Sequence, residues 1–260
     1  MMTIKTADEI EKMRIAGRYT AQVLEALSLI VQPGMTTMDI ELFCEDYIIN
    51  TLKAIPGSKG QYGYPYCVNT SVNNVICHGM PSVKQVLKQG DIVNVDITVI
   101  HAGYYGDSSK MFCIGTTSQH AKRLVDITQY CLYQGILAVK PNATLGDIGY
   151  AIQQHAEKNN YSVVRDYCGH GIGQRMHEEP QVMHYGKPNS GVVLQPGMVF
   201  TIEPMINQGT ADVRHIEKDG WRIAQTKDRM LSAQWEHTIL VTNTGHEILT
   251  LRTEEHGIIQ

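Results

Sequence analysis

The chain has 260 residues, of which 43% are hydrophobic and 18% charged, as expected of a globular protein with an ample core. Its net charge is −4 and it has no basic run, so the sequence lacks the electrostatic signature of a nucleic-acid partner. The N-terminus has no apolar signal-peptide core, and no stretch reaches the roughly 18 apolar residues of a membrane span. We therefore expect a cytoplasmic protein with no membrane partner. Six scattered cysteines without a CxxC pair indicate reduced thiols.

The first part of the chain predicts two helices. Thr6 and Glu9 form a capping box before an amphipathic run that extends to about Leu29. Pro33 and Gly34 end this helix, and a second helix is predicted from about residue 38 to residue 52.

The same order of elements then returns. Helices are predicted from about residue 119 to 139 and from 147 to 159, separated by a Pro-Asn pair. VQPGMTTMDI at residue 31 is echoed by VKPNATLGDI at residue 139, and GDIVNVD, which holds Asp96, by GMVFTIE, which holds Glu203. Each half also has an HG dipeptide before its acidic strand, at His78 and His170.

These echoes predict two similar halves, about residues 5–115 and 116–250, related by pseudo-two-fold symmetry. No Gly-, Pro- or Ser-rich linker separates the halves, so we expect one catalytic domain over residues 1–260. The predicted fold class is α+β, with a central curved sheet, mixed or antiparallel, backed by helices.

Strand alternation places four acids on polar strand faces. In IVNVDITVI the apolar side chains face one way and Asp96 the other, and VFTIEPMI gives Glu203 the same position. HAG at residues 101–103 resembles a turn, and a hairpin centred near position 101.5 predicts that Asp96 lies opposite Asp107. By the repeat, Glu236 in LSAQWEHTILVTN should face Glu203 in the same way.

Four clustered carboxylates need compensating charge, because burying unpaired charges costs several kcal/mol. Two divalent cations would neutralise them. His170, framed by glycines in YCGHGIG, adds one imidazole, and this donor set suits Mn, Fe, Co or Zn. The predicted metal ligands are Asp96, Asp107, His170, Glu203 and Glu236. A structural calcium site, the alternative, would not need His170.

Two further histidines are candidates for binding the substrate. A hydrolytic site needs donors that hold the substrate and stabilise an oxyanion, and we assign His78 and His177 to this role. The alternative for His177 is an ordinary surface histidine. The other histidines have no such context and are not assigned.

Several motifs together resemble one family. VICHGMP, VNVDITV, YYGDSSKMF, GHGIGQRMHEEPQV, VFTIEPMI and LSAQWEHTILVT, within residues 3–250, resemble the type I methionine aminopeptidases, which have the pita-bread fold. The resemblance implies a dinuclear metal site bridged by Asp107 and Glu236. It also implies removal of the initiator methionine from nascent chains whose second residue is small and uncharged. We expect a monomer that acts on nascent N-termini, with transient ribosome docking.

The resemblance also implies residue roles. Glu203 would accept a proton from the attacking water, His177 would stabilise the oxyanion and His78 would contact the scissile amide. The methionine pocket would be formed by Ser58, Gln61, Tyr64, Asn69, Met176 and Trp221. Tyr64 and Trp221 match the family, whereas the other four stand where bacterial relatives more usually carry cysteine, tyrosine, cysteine and phenylalanine. We therefore expect a more polar pocket. A monovalent-cation site would lie near Asn73, Val75 and Ser232.

Two alternatives remain open from the sequence. Proline-specific aminopeptidases and dipeptidases share this fold but usually carry a substantial N-terminal domain, for which His78 comes too early. Pita-bread proteins that have lost their metal ligands serve as binding modules, whereas this chain keeps every ligand position.

Overall fold

The computed structural model describes residues 3–258. In this part of the chain four α-helices are α1 (Ala7–Ser28), α2 (Thr37–Asp46), α3 (Gln119–Leu137) and α4 (Leu145–Lys158). A π-helical turn, Tyr47–Thr51, continues α2, and 3₁₀ turns occupy Gln61–Gly63 and Thr253–Glu255. The strands are β1 (Ile55–Pro56), β2 (Val68–Val72), β3 (Val75–Cys77), β4 (Ile92–His101), β5 (Tyr104–Cys113), β6 (Ser162–Val163), β7 (Gly169–Gly171), β8 (Glu178–Val182), β9 (Val199–Ile202), β10 (Met205–Asn207), β11 (Val213–Lys218), β12 (Trp221–Thr226), β13 (Ser232–Gln234), β14 (His237–Val241) and β15 (His246–Ile248).

The helix starts follow the predicted capping chemistry. The Thr6 hydroxyl accepts from the Glu9 backbone N–H, and the Glu9 carboxylate accepts from the Thr6 N–H at 2.8 Å. The same reciprocal cap begins α2 at Thr36 and α4 at Thr144, 108 residues apart. The internal repeat therefore includes the capping residues at the start of the second helix of each half.

The described strands form four antiparallel sheets rather than one continuous sheet. β4 pairs with β1, β2 and β5 in the first half, and β15-β14-β9-β7-β8 forms the five-stranded sheet of the second half. Two three-stranded sheets, β13-β10-β6 and β11-β12-β3, lie beside them. The α+β class and the antiparallel pairing are confirmed.

The predicted register of the first hairpin is wrong by two residues. Asp107 lies opposite Thr98 rather than Asp96, and Asp96 lies opposite Ser109. The reason is the turn, which has Ala102 and Gly103 as its two central residues, both with positive φ (49° and 81°). Such a two-residue turn matches the strand twist, and it places the hairpin centre one residue further along the chain than predicted. Asp96 and Asp107 still share a face, as diagonal neighbours.

The second-half register is as predicted. Ile202 pairs with His237 and Met205 pairs with Gln234, and both pairs belong to one register. Continuing it through the break between the strands sets Glu203 opposite Glu236. Pro204 stands at that break because proline has no N–H for a ladder hydrogen bond.

The two halves have separate apolar cores. One packs α1 and α2 on the apolar face of β4, where Val93, Val95 and Ile97 are fully buried. The other packs α3 and α4 on β9 around Phe200 and Ile202. The polar faces of the strands are left for the surface between the halves.

The halves meet along a seam formed by residues 107–109 and 236–238. The Asp107 N–H donates to the Thr238 hydroxyl at 3.1 Å, and that hydroxyl donates to the Asp107 carbonyl at 2.7 Å. The Glu236 N–H donates to the Ser109 carbonyl at 3.2 Å. Asp107 and Glu236 are therefore held side by side by backbone contacts.

All six cysteines are free thiols, as expected. Within residues 3–258, no helix combines the length and the apolar character that a membrane crossing requires.

Candidate metal centre and substrate cleft

A cavity of about 590 Å³ opens where the polar strand faces of the two halves converge. Its walls include every residue predicted to bind a divalent metal, the scissile amide or the methionine side chain. These are Ser58, Gln61, Tyr64, Asn69, His78, Asp96, Asp107, His170, Met176, His177, Glu203, Trp221 and Glu236.

The predicted metal ligands converge at the floor of this cavity. Asp107, His170 and Glu236 each place one potential ligand atom within 4.8 Å of the other two. His170 Nε2 lies 3.8 Å from Asp107 Oδ2 and 3.6 Å from Glu203 Oε1. Asp96 stands two residues before Thr98, on the same strand face and diagonal to Asp107.

Hydroxyls on the same strand faces orient two of the carboxylates. Thr98 donates to Asp107 Oδ1 at 2.9 Å, and Thr201 donates to Glu203 Oε1 at 2.9 Å. Gln234 Nε2 adds a longer hydrogen bond to Glu203 Oε2, at 3.3 Å. Each of these residues lies two positions from an acid, so the alternation that located the acids could also have located them.

The electrostatics of the cluster fit a cationic occupant. Burial raises the pKa of Asp107 to about 7. Burial and then repulsion from neighbouring carboxylates raise the pKa values of Asp96, Glu203 and Glu236. Burial also lowers the pKa of His170 to about 3, so its imidazole is neutral.

Among residues 3–258, no lysine or arginine lies within ion-pair distance of Asp107 or Glu203. The one imidazole at that distance, His170, is neutral, so no protein cation is paired with these two carboxylates. A cluster of buried carboxylates, one neutral imidazole and no lysine or arginine matches the donor set of divalent metals.

The glycines around His170 are required by close backbone contacts. A Cβ atom at Gly169 would lie 2.3 Å from the Thr201 carbonyl oxygen, and one at Gly171 would lie 2.2 Å from the Glu179 carbonyl oxygen. β7 therefore packs so closely between β9 and β8 that glycine is needed at both positions. The His170 Nδ1–H donates to the Gly171 carbonyl at 3.0 Å, which leaves Nε2 directed at the carboxylates.

The two predicted substrate-binding histidines flank the cluster. The ring of His177 lies 4.3 Å from that of His170, and its Nδ1 shares a hydrogen bond of 3.2 Å with the Tyr62 hydroxyl. His78 has φ +61°, and its carbonyl accepts from Trp221 Nε1 at 3.0 Å. Burial, aided by repulsion from His177, lowers the pKa of His78 to about 4, so His78 is neutral.

One wall of the cavity combines aromatic rings with polar side chains. Tyr64 and Trp221 have ring centroids 4.4 Å apart. Ser58 donates to the Thr98 hydroxyl at 3.1 Å, and the buried Asn69 Oδ1 has no hydrogen-bond partner. The wall therefore places polar side chains beside the two aromatic rings, and its polarity relative to that of bacterial relatives stays a prediction.

Two contacts of the site were not anticipated from the sequence. Tyr62 reaches His177, as described above. The fully buried His184 accepts from the Glu203 backbone N–H at its Nε2, at 3.1 Å. This hydrogen bond joins positions 19 residues apart, and neither alternation nor the repeat signals it.

The residues predicted for a monovalent cation lie outside the cavity walls. The Ser232 N–H donates to the Asn73 carbonyl at 2.9 Å, and the Asn73 side chain bonds Asp91 at 2.8 Å. Val75 begins β3. A cation at this place stays a prediction.

Comparison with known proteins agrees with this geometry. The sequence profile of metallopeptidase family M24 matches residues 11–243. The methionine aminopeptidase of Salmonella typhimurium is 54% identical over 254 residues, which cover 98% of this chain and 96% of that protein. The methionine aminopeptidase of Escherichia coli (strain K12) is 52% identical with the same coverage.

Solved structures show the same relation. The methionine aminopeptidase of Rickettsia prowazekii superposes with a TM-score of 0.93 at 47% identity, covering 96% of this chain and 100% of that one. The prolidase of Pyrococcus furiosus reaches a TM-score of 0.72 at 21% identity, covering 95% of this chain and 65% of that one, and it shows the fold alone. The chain belongs to metallopeptidase family M24 and, within that family, to the methionine aminopeptidases.

Proposed function

We propose that the protein removes the N-terminal methionine from nascent proteins and peptides whose second residue is small and uncharged. The observation that carries this proposal is the convergence of four buried carboxylates and a neutral histidine at the floor of a cleft with a mixed aromatic and polar wall. The relatives named above are methionine aminopeptidases. This agrees with the carboxylate and histidine cluster at the floor of the cleft and with its partly aromatic wall.

Asp96, Asp107, His170, Glu203 and Glu236 would hold two divalent cations, and Asp107, His170 and Glu236 already bring their potential ligand atoms within 4.8 Å of one another. Co, Mn, Fe and Zn are all compatible with this donor set. When bound, such ions acidify a water molecule and polarise the scissile carbonyl.

Three side chains around the centre have separate roles in the proposed reaction. Glu203 accepts the proton of the attacking water and returns it to the leaving amine, a role suited to a carboxylate whose pKa is raised by burial. His177 donates to the oxyanion of the tetrahedral intermediate, and Tyr62 keeps its ring in place. His78 contacts the scissile amide from the opposite wall.

The pocket wall sets the side-chain preference. Tyr64 and Trp221 offer ring faces to the methionine thioether. Ser58, Gln61, Asn69 and Met176 would complete the pocket. The free α-amino group of the substrate would bind beside the carboxylates, which restricts cleavage to the first peptide bond.

The remaining elements of the proposal concern the cellular setting. The two halves would act as one catalytic domain, since each contributes ligands. We place the protein in the cytoplasm as a monomer, docking transiently at the ribosome where N-termini emerge. A monovalent cation near Asn73, Val75 and Ser232 would be structural.

A peptide assay tests the proposal. Met-Ala-Ser should release methionine when Co²⁺ or Mn²⁺ is supplied, and a chelator should abolish the release. An Ala-Pro dipeptide, offered in parallel, should stay intact. Hydrolysis of Ala-Pro with Met-Ala-Ser intact would indicate a proline-specific enzyme, and release that survives chelation would contradict the metal mechanism.

A further inference from the structure

Thr250, Arg252 and Glu255 belong to a buried polar network behind the candidate metal centre. They lie beyond residue 243, where the match to the family profile ends. Arg252 is 0% exposed and Glu255 is 1% exposed, although charged side chains are seldom buried so completely. The proposed reaction uses neither of them.

The Glu255 carboxylate has three polar neighbours, which come from its own segment, from α3 and from β14. Arg252 Nη2 donates to its carboxylate at 2.7 Å, and the Tyr133 hydroxyl of α3 donates at 2.8 Å. His237 Nε2 lies 3.2 Å from the same carboxylate. Although burial opposes ionisation, His237 and Arg252 hold the pKa of Glu255 well below its usual range. The Arg252–Glu255 pair is therefore ionised.

Arg252 connects this pair to the seam. Its Nη1 donates to the Ser108 hydroxyl at 3.0 Å, and that hydroxyl donates to the Glu236 carbonyl at 2.6 Å. Ser108 has Asp107 as its neighbour, and side chains alternate along β5, so the Ser108 hydroxyl projects away from the cavity that Asp107 enters. The Ser108 hydroxyl thus links the guanidinium to the Glu236 carbonyl, and Ser108 is itself the chain neighbour of Asp107.

We infer that Arg252 is a positioning residue: through Ser108 it fixes the spacing of the Asp107 and Glu236 carboxylates, and thereby the affinity of the centre for divalent metal. This inference rests on the proposed function, because it assumes that these two carboxylates bind metal. A buried ion pair by itself adds little to stability, so a role in fixing geometry accounts better for its retention.

Thr250 completes the attachment of this segment to the second half. Its hydroxyl accepts from the Thr238 N–H at 3.0 Å and lies 2.9 Å from His237 Nδ1. The segment therefore contacts His237 and Thr238, which follow Glu236, and also the hydroxyl of Ser108. Loss of the Ser108 hydroxyl alone would break the link to Arg252 and leave the ion pair in place.

The test measures metal binding without turnover. Apo protein, wild type and Ser108→Ala, is titrated with Co²⁺ by calorimetry, and the visible absorption of bound Co²⁺ reports its coordination. Removing a partner behind the metal ligands typically costs 10- to 100-fold in affinity, and we expect Ser108→Ala to lose about that much, with an altered spectrum. Thr128→Val is the matched control, since Thr128 is fully buried in α3 and its hydroxyl donates to the Leu124 carbonyl within the same helix rather than to the network of Arg252.

A second variant keeps the inference testable if Ser108→Ala does not fold. Arg252→Lys keeps the positive charge and loses the planar fork, so it should also bind Co²⁺ more weakly than wild type. Wild-type affinity and spectrum in the folded variants would overturn the inference and leave the proposed function intact. Absence of Co²⁺ binding by the wild-type protein would overturn the proposed function itself, and the inference with it. Equal loss in Thr128→Val would show that general destabilisation, not positioning, weakens the centre.

Discussion

Replacing Asp107 by asparagine should make the metal-free protein more stable at neutral pH. Burial raises the pKa of Asp107 from 3.8 to about 7, so the folded state binds a proton on this carboxyl where the unfolded state has released it. Stability from the protonated carboxyl is fully present below pH 3.8 and is lost as the pH rises to about 7. Asparagine occupies the same volume without ionising.

The size of the effect follows from the shift. Three pKa units correspond to about 4 kcal/mol at pH 7.5, of which more than half is lost between pH 5 and pH 7.5. Asp107 also raises the pKa values of Glu203 and Glu236 by repulsion, so its removal acts in the same direction there. Histidines with lowered pKa values oppose this trend below pH 6.5, but they are present in both proteins and cancel in the comparison.

Urea unfolding in chelator at pH 5 and pH 7.5 measures the difference. The free energy of unfolding of Asp107→Asn minus that of wild type should grow by about 2 to 3 kcal/mol over this interval. Added Co²⁺ should reverse the order at pH 7.5, because only the wild type keeps the full ligand set. A difference that stays constant with pH would refute the reasoning that Asp107 is an uncompensated buried carboxyl.

Four further outcomes are expected. Glu203→Gln should lower kcat by about 10²- to 10⁴-fold while the protein stays folded by circular dichroism, and near-normal turnover of Met-Ala-Ser would exclude Glu203 as the base. His177→Ala should lower kcat by about 10²- to 10³-fold, seen in steady-state kinetics at saturating substrate; a change confined to KM would argue against oxyanion stabilisation. Asn69→Cys removes a buried amide oxygen that has no partner, and thermal or urea unfolding should show a gain of about 1 kcal/mol or more; a loss would mean that the amide is satisfied. Gly106→Ala would place a Cβ atom 2.5 Å from the Gly17 nitrogen and should cost about 1–3 kcal/mol, whereas Gly245→Ala, with no atom within 4 Å, should be neutral in the same urea titration.

The helices and the acidic strand faces were accessible from the sequence because their signals are local. A capping threonine followed three residues later by an acid predicts the start of α1, and alternation over β4 separates Val95 from Asp96. The hairpin register was not accessible, because alanine rarely adopts the positive φ that Ala102 has here. The pairing of Glu203 with Glu236 was predicted by analogy with that hairpin, and the second-half strands have it although the first hairpin is shifted.

The supporting contacts of the site were beyond sequence reasoning for a different physical reason. His184 meets the Glu203 backbone and Arg252 meets Ser108 only after distant segments have packed. A buried charged residue near a chain end has the same local signature as a solvated one. Only the tertiary structure distinguishes them.

The division of the ligands between the two halves has a consequence for the newly made protein. Asp96 and Asp107 are synthesised well before His170, Glu203 and Glu236, and the later residues depend on a separate core for their placement. A chain whose second half has not yet folded would therefore lack the proposed centre. The number of active sites titrated in a preparation should therefore equal the number of molecules in which both halves have folded.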